Sequence, residues 1–173
     1  MTSYPLGFRV AQAVGISGAA WLSGNIAAIS LIGTPAIIQS QKEENVSRGL
    51  LARQWKSMYD NGKSQNPPIA LCVSSAFLYL AWSVRAGSPL YKKTSISRAG
   101  LFSAAAAFTL CIVPYTFVAM SSTNNKLLEN SESSSEFSDK ETLGLVQRWT
   151  TLNQVRGFLP LVGGFCGIAA SFL

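Results

Sequence analysis

The chain has 173 residues, of which 48% are hydrophobic and only 13% charged, about half the usual charged share. It carries a formal net charge of +6 and contains no histidine. Such a composition excludes an ordinary soluble domain, and the missing histidine excludes His-ligated haem, the 2-His-1-carboxylate iron site, the usual zinc sites and a Ser-His-Asp triad.

The charges are unevenly placed. Thirty-two uncharged residues separate Arg9 from Lys42, 21 separate Lys63 from Arg85, 27 separate Arg98 from Lys126, and 17 follow Arg156. A helix that crosses a bilayer needs about 20 mostly apolar residues. The predicted fold is therefore all-α: an integral membrane four-helix bundle forming one domain over residues 1–173. Its spans fall at about 10–34, 67–84, 99–120 and 157–173, with long loops at 39–66 and 121–155. The basic residues flank apolar runs and form no basic stripe with aromatics. They point to lipid headgroups and membrane orientation, not to nucleic acid.

The first span is too long for a signal-peptide core and stops near Pro35. Gly15, Ala19, Ser23 and Ala27 recur every four positions in it, a stripe for close helix packing. The first long loop contains the sequon Asn45-Val46-Ser47, a glycosylation site if that loop is lumenal. In the same loop Leu51, Trp55, Met58 and Tyr59 fit one face of a short amphipathic helix that Gly62 would end. The second span opens on Pro67 and Pro68, where proline is tolerated. The short loop that follows holds Arg85, Lys92, Lys93 and Arg98 and no acidic residue. Its density of positive charge places it, with both termini, on the cytosolic side of the endoplasmic reticulum or another endomembrane.

The third span carries Ala99, Ser103, Ala107 and Cys111 as its small stripe, and Pro114 kinks it. The second long loop includes a serine-rich acidic stretch, Glu129 to Glu141, expected to be flexible. Gly163, Gly167 and Ser171 give the fourth span a GxxxG-type face. Cys72, Cys111 and Cys166 lie in apolar runs without a C-x-x-C spacing, so they are expected as buried, unpaired thiols.

Chemistry-bearing residues concentrate on the long-loop side. Trp149, Asn153 and Arg156 are spaced i, i+4, i+7 and share one helical face. Trp55 and Tyr59 are four apart and stack on another. Pro114-x-Thr116-x-x-x-Met120 and Thr123-Asn124-Asn125-x-Leu127 lie between them in sequence. Alone, each member has an ordinary explanation as an interfacial anchor, a snorkelling cation or a turn residue. Together they place aromatic rings, amides and a cation at one membrane boundary.

With Gly18, Trp21, Gly24 and Pro35 near the start, these motifs resemble the fungal anthrone oxygenase family over nearly the whole chain. The resemblance implies a small membrane protein of polyketide biosynthesis. It would oxidise an anthrone, of the emodin- or endocrocin-anthrone kind, to the anthraquinone with molecular oxygen. It implies a monooxygenase whose partners are the aromatic polyketide, O2 and membrane lipid. No Gly-rich nucleotide fingerprint precedes a helix and no histidine can hold haem, so no cofactor is assigned, and the use of a metal is left open. The oligomeric state stays open. The corresponding site is Trp55, Tyr59, Asn125 and Trp149 for the substrate, with Asn153 and Arg156 as the catalytic pair. An anthrone that loses its benzylic proton becomes an enolate able to reduce oxygen itself. Arg156 would stabilise that enolate and Asn153 would donate a second hydrogen bond to it. Asp60 is the motif carboxylate nearest to hand as a base, though a solvated loop charge is its simpler role. The alternative is a non-enzymatic tetraspan scaffold or binding protein for the same kind of pathway.

Overall fold

The computed structural model describes residues 4–44, 47–132 and 138–173, and every regular element among them is helical. Helix α1 (Leu6–Ala28) passes through a π-helical turn (Ile29–Gly33) into α2 (Thr34–Glu44). Helix α3 runs from Arg48 to Ser83. Then come α4 (Arg98–Leu110), α5 (Ile112–Tyr115), a second π-helical turn (Thr116–Met120) and α6 (Ser121–Glu132). Helix α7 (Asp139–Phe172) closes the chain. Asn45 of the sequon lies outside the described residues.

Three helical stretches are long and apolar enough to cross a membrane: Leu6–Glu43, Arg98–Glu132 and Asp139–Phe172. They leave large side chains such as Leu31, Phe117, Val118, Phe158 and Phe165 exposed. Water would penalise that surface at about 25 cal/mol for each Å² of apolar area, and lipid would not.

Prolines shape the helices without ending them. The first span was expected to stop near Pro35, yet the helix continues to Glu44. The π turn makes this possible: the Thr34 amide bonds back to the Ile29 carbonyl, five residues away, and Pro35 falls in the first turn of α2, where no donor is needed. Pro67 and Pro68 lie inside α3 and do not open it. Gly62 lies inside α3 as well, so residues 48–66 form its first part and not a separate short helix. Buried Leu51, Ala52 and Trp55 before the prolines and Ala70 and Val73 after them anchor α3 on both sides. That burial offsets the roughly 3 kcal/mol cost of an interior proline. Of the stretches expected as long loops, residues 48–66, 121–132 and 139–155 are thus helical. Within the acidic serine stretch, Ser138 and Glu141 form a capping box that starts α7, with Ser138 N donating to Glu141 Oε2 at 2.8 Å. The two bonds from Ser138 hold the Glu141 carboxyl below its usual range.

The chain forms two compact units. The first comprises Met1–Ser23, Asn66–Ile112 and Phe158–Leu173. Its core holds Phe8, Phe77 and Phe102, with Phe77 and Phe102 stacked at 6.5 Å and Phe8 edge-on to Phe102 at 6.4 Å. Gly15, Ala19 and Ser23 of the expected α1 stripe and Gly163 and Gly167 of α7 are buried in this unit, with Gly15 and Gly167 against Phe77, while Ala27 belongs to the second unit. The stripe expected on α4 does not: Ser103, Ala107 and Cys111 are exposed. Phe102, Ala105, Ala106 and Thr109 point inward instead, because the large Phe102 ring settles which face is buried. Cys72 and Cys111 are likewise exposed, on outward apolar faces, and Cys166 is half-buried. The three thiols are free, but the two exposed ones are not the buried thiols expected.

The second unit comprises Gly24–Gln65 and Val113–Gly157. Its core is Leu51, Trp55, Met120, Leu127, Val146 and Trp149.

Close helix approach in the first unit depends on Gly163. A methyl group there would meet the Ala105 carbonyl oxygen at 2.8 Å and Thr109 Oγ1 at 2.7 Å, whereas one at Gly164 would meet only Ala19 at 3.5 Å. Gly163→Ala is expected to destabilise the purified protein by about 1–3 kcal/mol, seen as a lowered thermal midpoint in detergent, and Gly164→Ala to leave it unchanged. Equal midpoints would refute the close approach.

Candidate active site

The second unit gathers most of the residues singled out from sequence. Trp55 is fully buried on the first part of α3, and its ring stacks on Tyr59 one turn later, with centroids 5.0 Å apart and planes at 16°. Trp149 of α7 meets Trp55 edge to face at 5.7 Å. Its indole Nε1 donates to Asn124 Oδ1 of α6 at 2.9 Å.

That bond selects Asn124, and not the Asn125 expected for the substrate, as the amide facing Trp149. Asn124 is buried, whereas Asn125 is exposed on the other side of α6. One residue turns a helix by about 100°, and the buried positions Met120, Thr123, Asn124, Leu127 and Asn130 repeat with helical spacing. The sequence held this signal: Met120 and Leu127 lie four before and three after Asn124.

Trp149, Asn153 and Arg156 do share a face, and it points inward, with relative exposures of 1%, 0% and 9%. Asn153 is committed on its donor side. Its Nδ2 donates to the Ile26 carbonyl oxygen at 3.0 Å and to Ser30 Oγ at 2.7 Å. A carbonyl only accepts, so this contact fixes which end of the amide points toward α1. Oδ1 is left as a buried acceptor with no partner. Asn153 therefore clamps the first π turn, and its hydrogens are not free for a substrate oxygen.

Arg156 differs. Its Nη1 donates to Thr116 Oγ1 at 3.2 Å, in the second π turn, and its Nε is buried without a partner. The phenols of Tyr59 and Tyr115 are close enough to act on its charge. No aspartate or glutamate is buried among the described residues. Asp60, the candidate base, is exposed and bound to Lys56 at 2.6 Å, a contact that raises the lysine above its ordinary value. Among the described residues no three His, Cys, Asp or Glu side chains come together as a metal site.

The second π turn is what presents Thr116. Pro114 has no amide hydrogen, so the Leu110 carbonyl loses its usual partner, and the helix breaks at Cys111 and widens after Tyr115. Tyr59, Tyr115 and Thr116 are half-buried and lie near Arg156, and the Tyr59 ring leads on through Trp55 to Trp149. Ser30, Tyr115 and Asn124 are the members that the spacing arguments did not select. Ser30 gives no sequence signal, being one small polar residue in an apolar run.

The family profile described as anthrone oxygenase matches residues 55–166, the stretch that runs from the stacked Trp55 into α7. The anthrone oxygenase encC of Aspergillus fumigatus is 36% identical, over 91% of this chain and 90% of that protein. The anthrone oxygenase nsrD of Aspergillus novofumigatus is 31% identical, over 90% of this chain and 92% of that protein. The noranthrone monooxygenase of Aspergillus flavus is 27% identical, over 90% of this chain and 73% of that protein. No solved structure matches the chain. A profile match across more than half of the length, and relatives similar along nearly all of it, place this chain in the anthrone oxygenase family.

Proposed function

We infer that the protein oxidises an anthrone to an anthraquinone with O2, as a monooxygenase of polyketide biosynthesis. The observation that carries this reading is Arg156: a buried cation with an unspent donor, no carboxylate partner among the described residues, and the phenols of Tyr59 and Tyr115 nearby. Such a cation favours a ligand that becomes negative. An anthrone does so when its benzylic proton leaves, because the charge moves to the carbonyl oxygen as an aromatic enolate.

The chemistry then balances without further reactants. The enolate gives one electron to O2, and the radical pair joins at the benzylic carbon as a peroxide. Loss of water leaves the second quinone carbonyl. One oxygen atom ends in the product and one in water. Arg156 holds the enolate oxygen through a charge-assisted hydrogen bond worth about 1.5–3 kcal/mol, which lowers the anthrone pKa by about one to two units. Thr116 orients the guanidinium. Asn153 shapes the site by fixing α1 and offers Oδ1 to a hydroxyl of the ligand. Trp55, Tyr59 and Trp149 supply the aromatic wall for a flat ring system, and Asn124, not the outward-facing Asn125, is the α6 amide on that side. The proton passes to water, since Asp60 is engaged with Lys56 at the surface.

The same reading takes residues 1–173 as one membrane domain with four spans. Residues 67–84 serve as the remaining crossing, supported by exposed Leu71, Leu78 and Trp82. An even number of crossings puts both termini on one side, here the cytosolic side of an endomembrane, and leaves Asn45 lumenal for glycosylation.

Microsomes that contain the protein are expected to convert emodin anthrone to emodin, with O2 uptake, faster than empty microsomes. Equal rates would sink the assignment in favour of a scaffold. Arg156→Ala is expected to lower kcat/KM by about ten- to a hundredfold at unchanged protein level, and wild-type turnover would remove Arg156 from the mechanism. Trp149→Phe keeps a ring but strands the Asn124 amide. A stability loss of about 1–3 kcal/mol is expected in thermal unfolding, and an unchanged midpoint would show that the Trp149–Asn124 bond does not hold α6 to α7.

A further inference from the structure

A second arginine with an unspent donor lies in the first unit, where three candidate spans reach one point. Arg98 opens one span, Ala170 lies in the last turn of another, and Tyr4 precedes a third by two residues. Arg98 joins them. Its Nε donates to the Ala170 carbonyl oxygen at 3.1 Å and its Nη2 to the Tyr4 hydroxyl at 3.2 Å. A cation on the last carbonyls of α7 is well placed for the helix dipole, which accounts for Nε. It does not account for Nη1, which has no partner although Arg98 is only 2% exposed.

A second cation stands beside it. Lys92 Nζ lies 5.7 Å from the centre of the Tyr4 ring, and the Arg98 guanidinium carbon lies 5.6 Å from the same centre. Tyr4 is fixed by stacking on Phe8 at 4.6 Å. Burial pushes the Tyr4 phenol up, but Lys92 and Arg98 outweigh it and hold the phenol below its ordinary value. Neither cation is paired with a carboxylate among the described residues, and the loop from Arg85 to Arg98 holds no acidic residue. Two cations, a polarised phenol and a buried open donor thus converge where apolar helices end, with no carboxylate partner among the described residues. A guanidinium fork and an ammonium suit a phosphate oxygen set, and at a bilayer surface the abundant phosphates belong to lipids.

We propose that Arg98, Lys92 and Tyr4 form a binding site for a phosphate group, supplied by the headgroup of an anionic phospholipid. The site is independent of the oxidation chemistry and shares no residue with it.

The test is native mass spectrometry of the full chain in detergent, offered phosphatidic acid, phosphatidylserine or phosphatidylcholine, with a thermal-shift titration by inorganic phosphate as a separate arm. One anionic lipid per chain is expected to be retained in preference to phosphatidylcholine. Lys92→Ala, at an exposed position that leaves the fold intact, and Arg98→Lys are each expected to weaken retention about tenfold, the scale of one charge-assisted hydrogen bond. Stabilisation by inorganic phosphate alone, lost in the same variants, would keep the phosphate site and assign it to a soluble anion. Equal retention of phosphatidylcholine and the anionic lipids, or retention unchanged in Lys92→Ala and Arg98→Lys with no response to phosphate, would overturn it and leave Arg98 as a cap of α7.

Discussion

The second unit is organised around a charge that it does not neutralise. Burying a guanidinium costs several kcal/mol unless something negative or strongly polar meets it. Around Arg156 the chain provides one threonine hydroxyl, phenols nearby and the edge of a tryptophan–tyrosine cluster, and no buried carboxylate among the described residues. In the function proposed above, that cost would be recovered when a ligand such as an anthrone enolate develops negative charge beside Arg156.

Holding that cation in place depends on irregular backbone. Both π turns lie beside prolines, Pro35 after the first and Pro114 before the second. Each turn presents a side chain to α7: Ser30 to Asn153 and Thr116 to Arg156. A regular α-helix would rotate these hydroxyls by the angle of the extra residue and lose both bonds. Asn153 then ties α7 to α1, Thr150 ties it to Thr34 at 2.9 Å, and Trp149 ties it to α6. The site face of α7 is thereby fixed at successive turns, and Arg156 has little freedom to leave it.

The first unit shows the same economy of polar contacts in an apolar setting. Gln12 donates to Ser171 at 3.0 Å and Ser74 to the Ala106 carbonyl at 3.1 Å, while glycines let the backbones approach. Where an apolar helix meets lipid, hydrophobicity gives no drive for helices to associate, so close packing and a few such bonds must do it.

Much of this was legible in the sequence. Uncharged runs bounded by Arg and Lys specify apolar helices, and spacing alone put Trp149, Asn153 and Arg156 on one face and stacked Trp55 on Tyr59. These are local properties, set by the 3.6-residue period and by which side chains avoid water. Local rules failed where a neighbour decides. Pro35 and Gly62 read as stops and Pro67 as a start, but the π turn carries the first helix past Pro35, and burial on both sides carries α3 through Gly62 and Pro67. Asn124 and Asn125 are equivalent by composition; the period of Met120 and Leu127 turns Asn124 inward, and the Trp149 indole gives it its partner. Asn153 read as a donor to substrate, until Ile26 and Ser30, more than 120 residues earlier in the chain, took its hydrogens. The sequence by itself determined the helices, their apolar surfaces and the residue types available for chemistry. Only the tertiary structure decided which polar atoms remain unspent, because a hydrogen bond is settled by the partner in space and not by the distance along the chain.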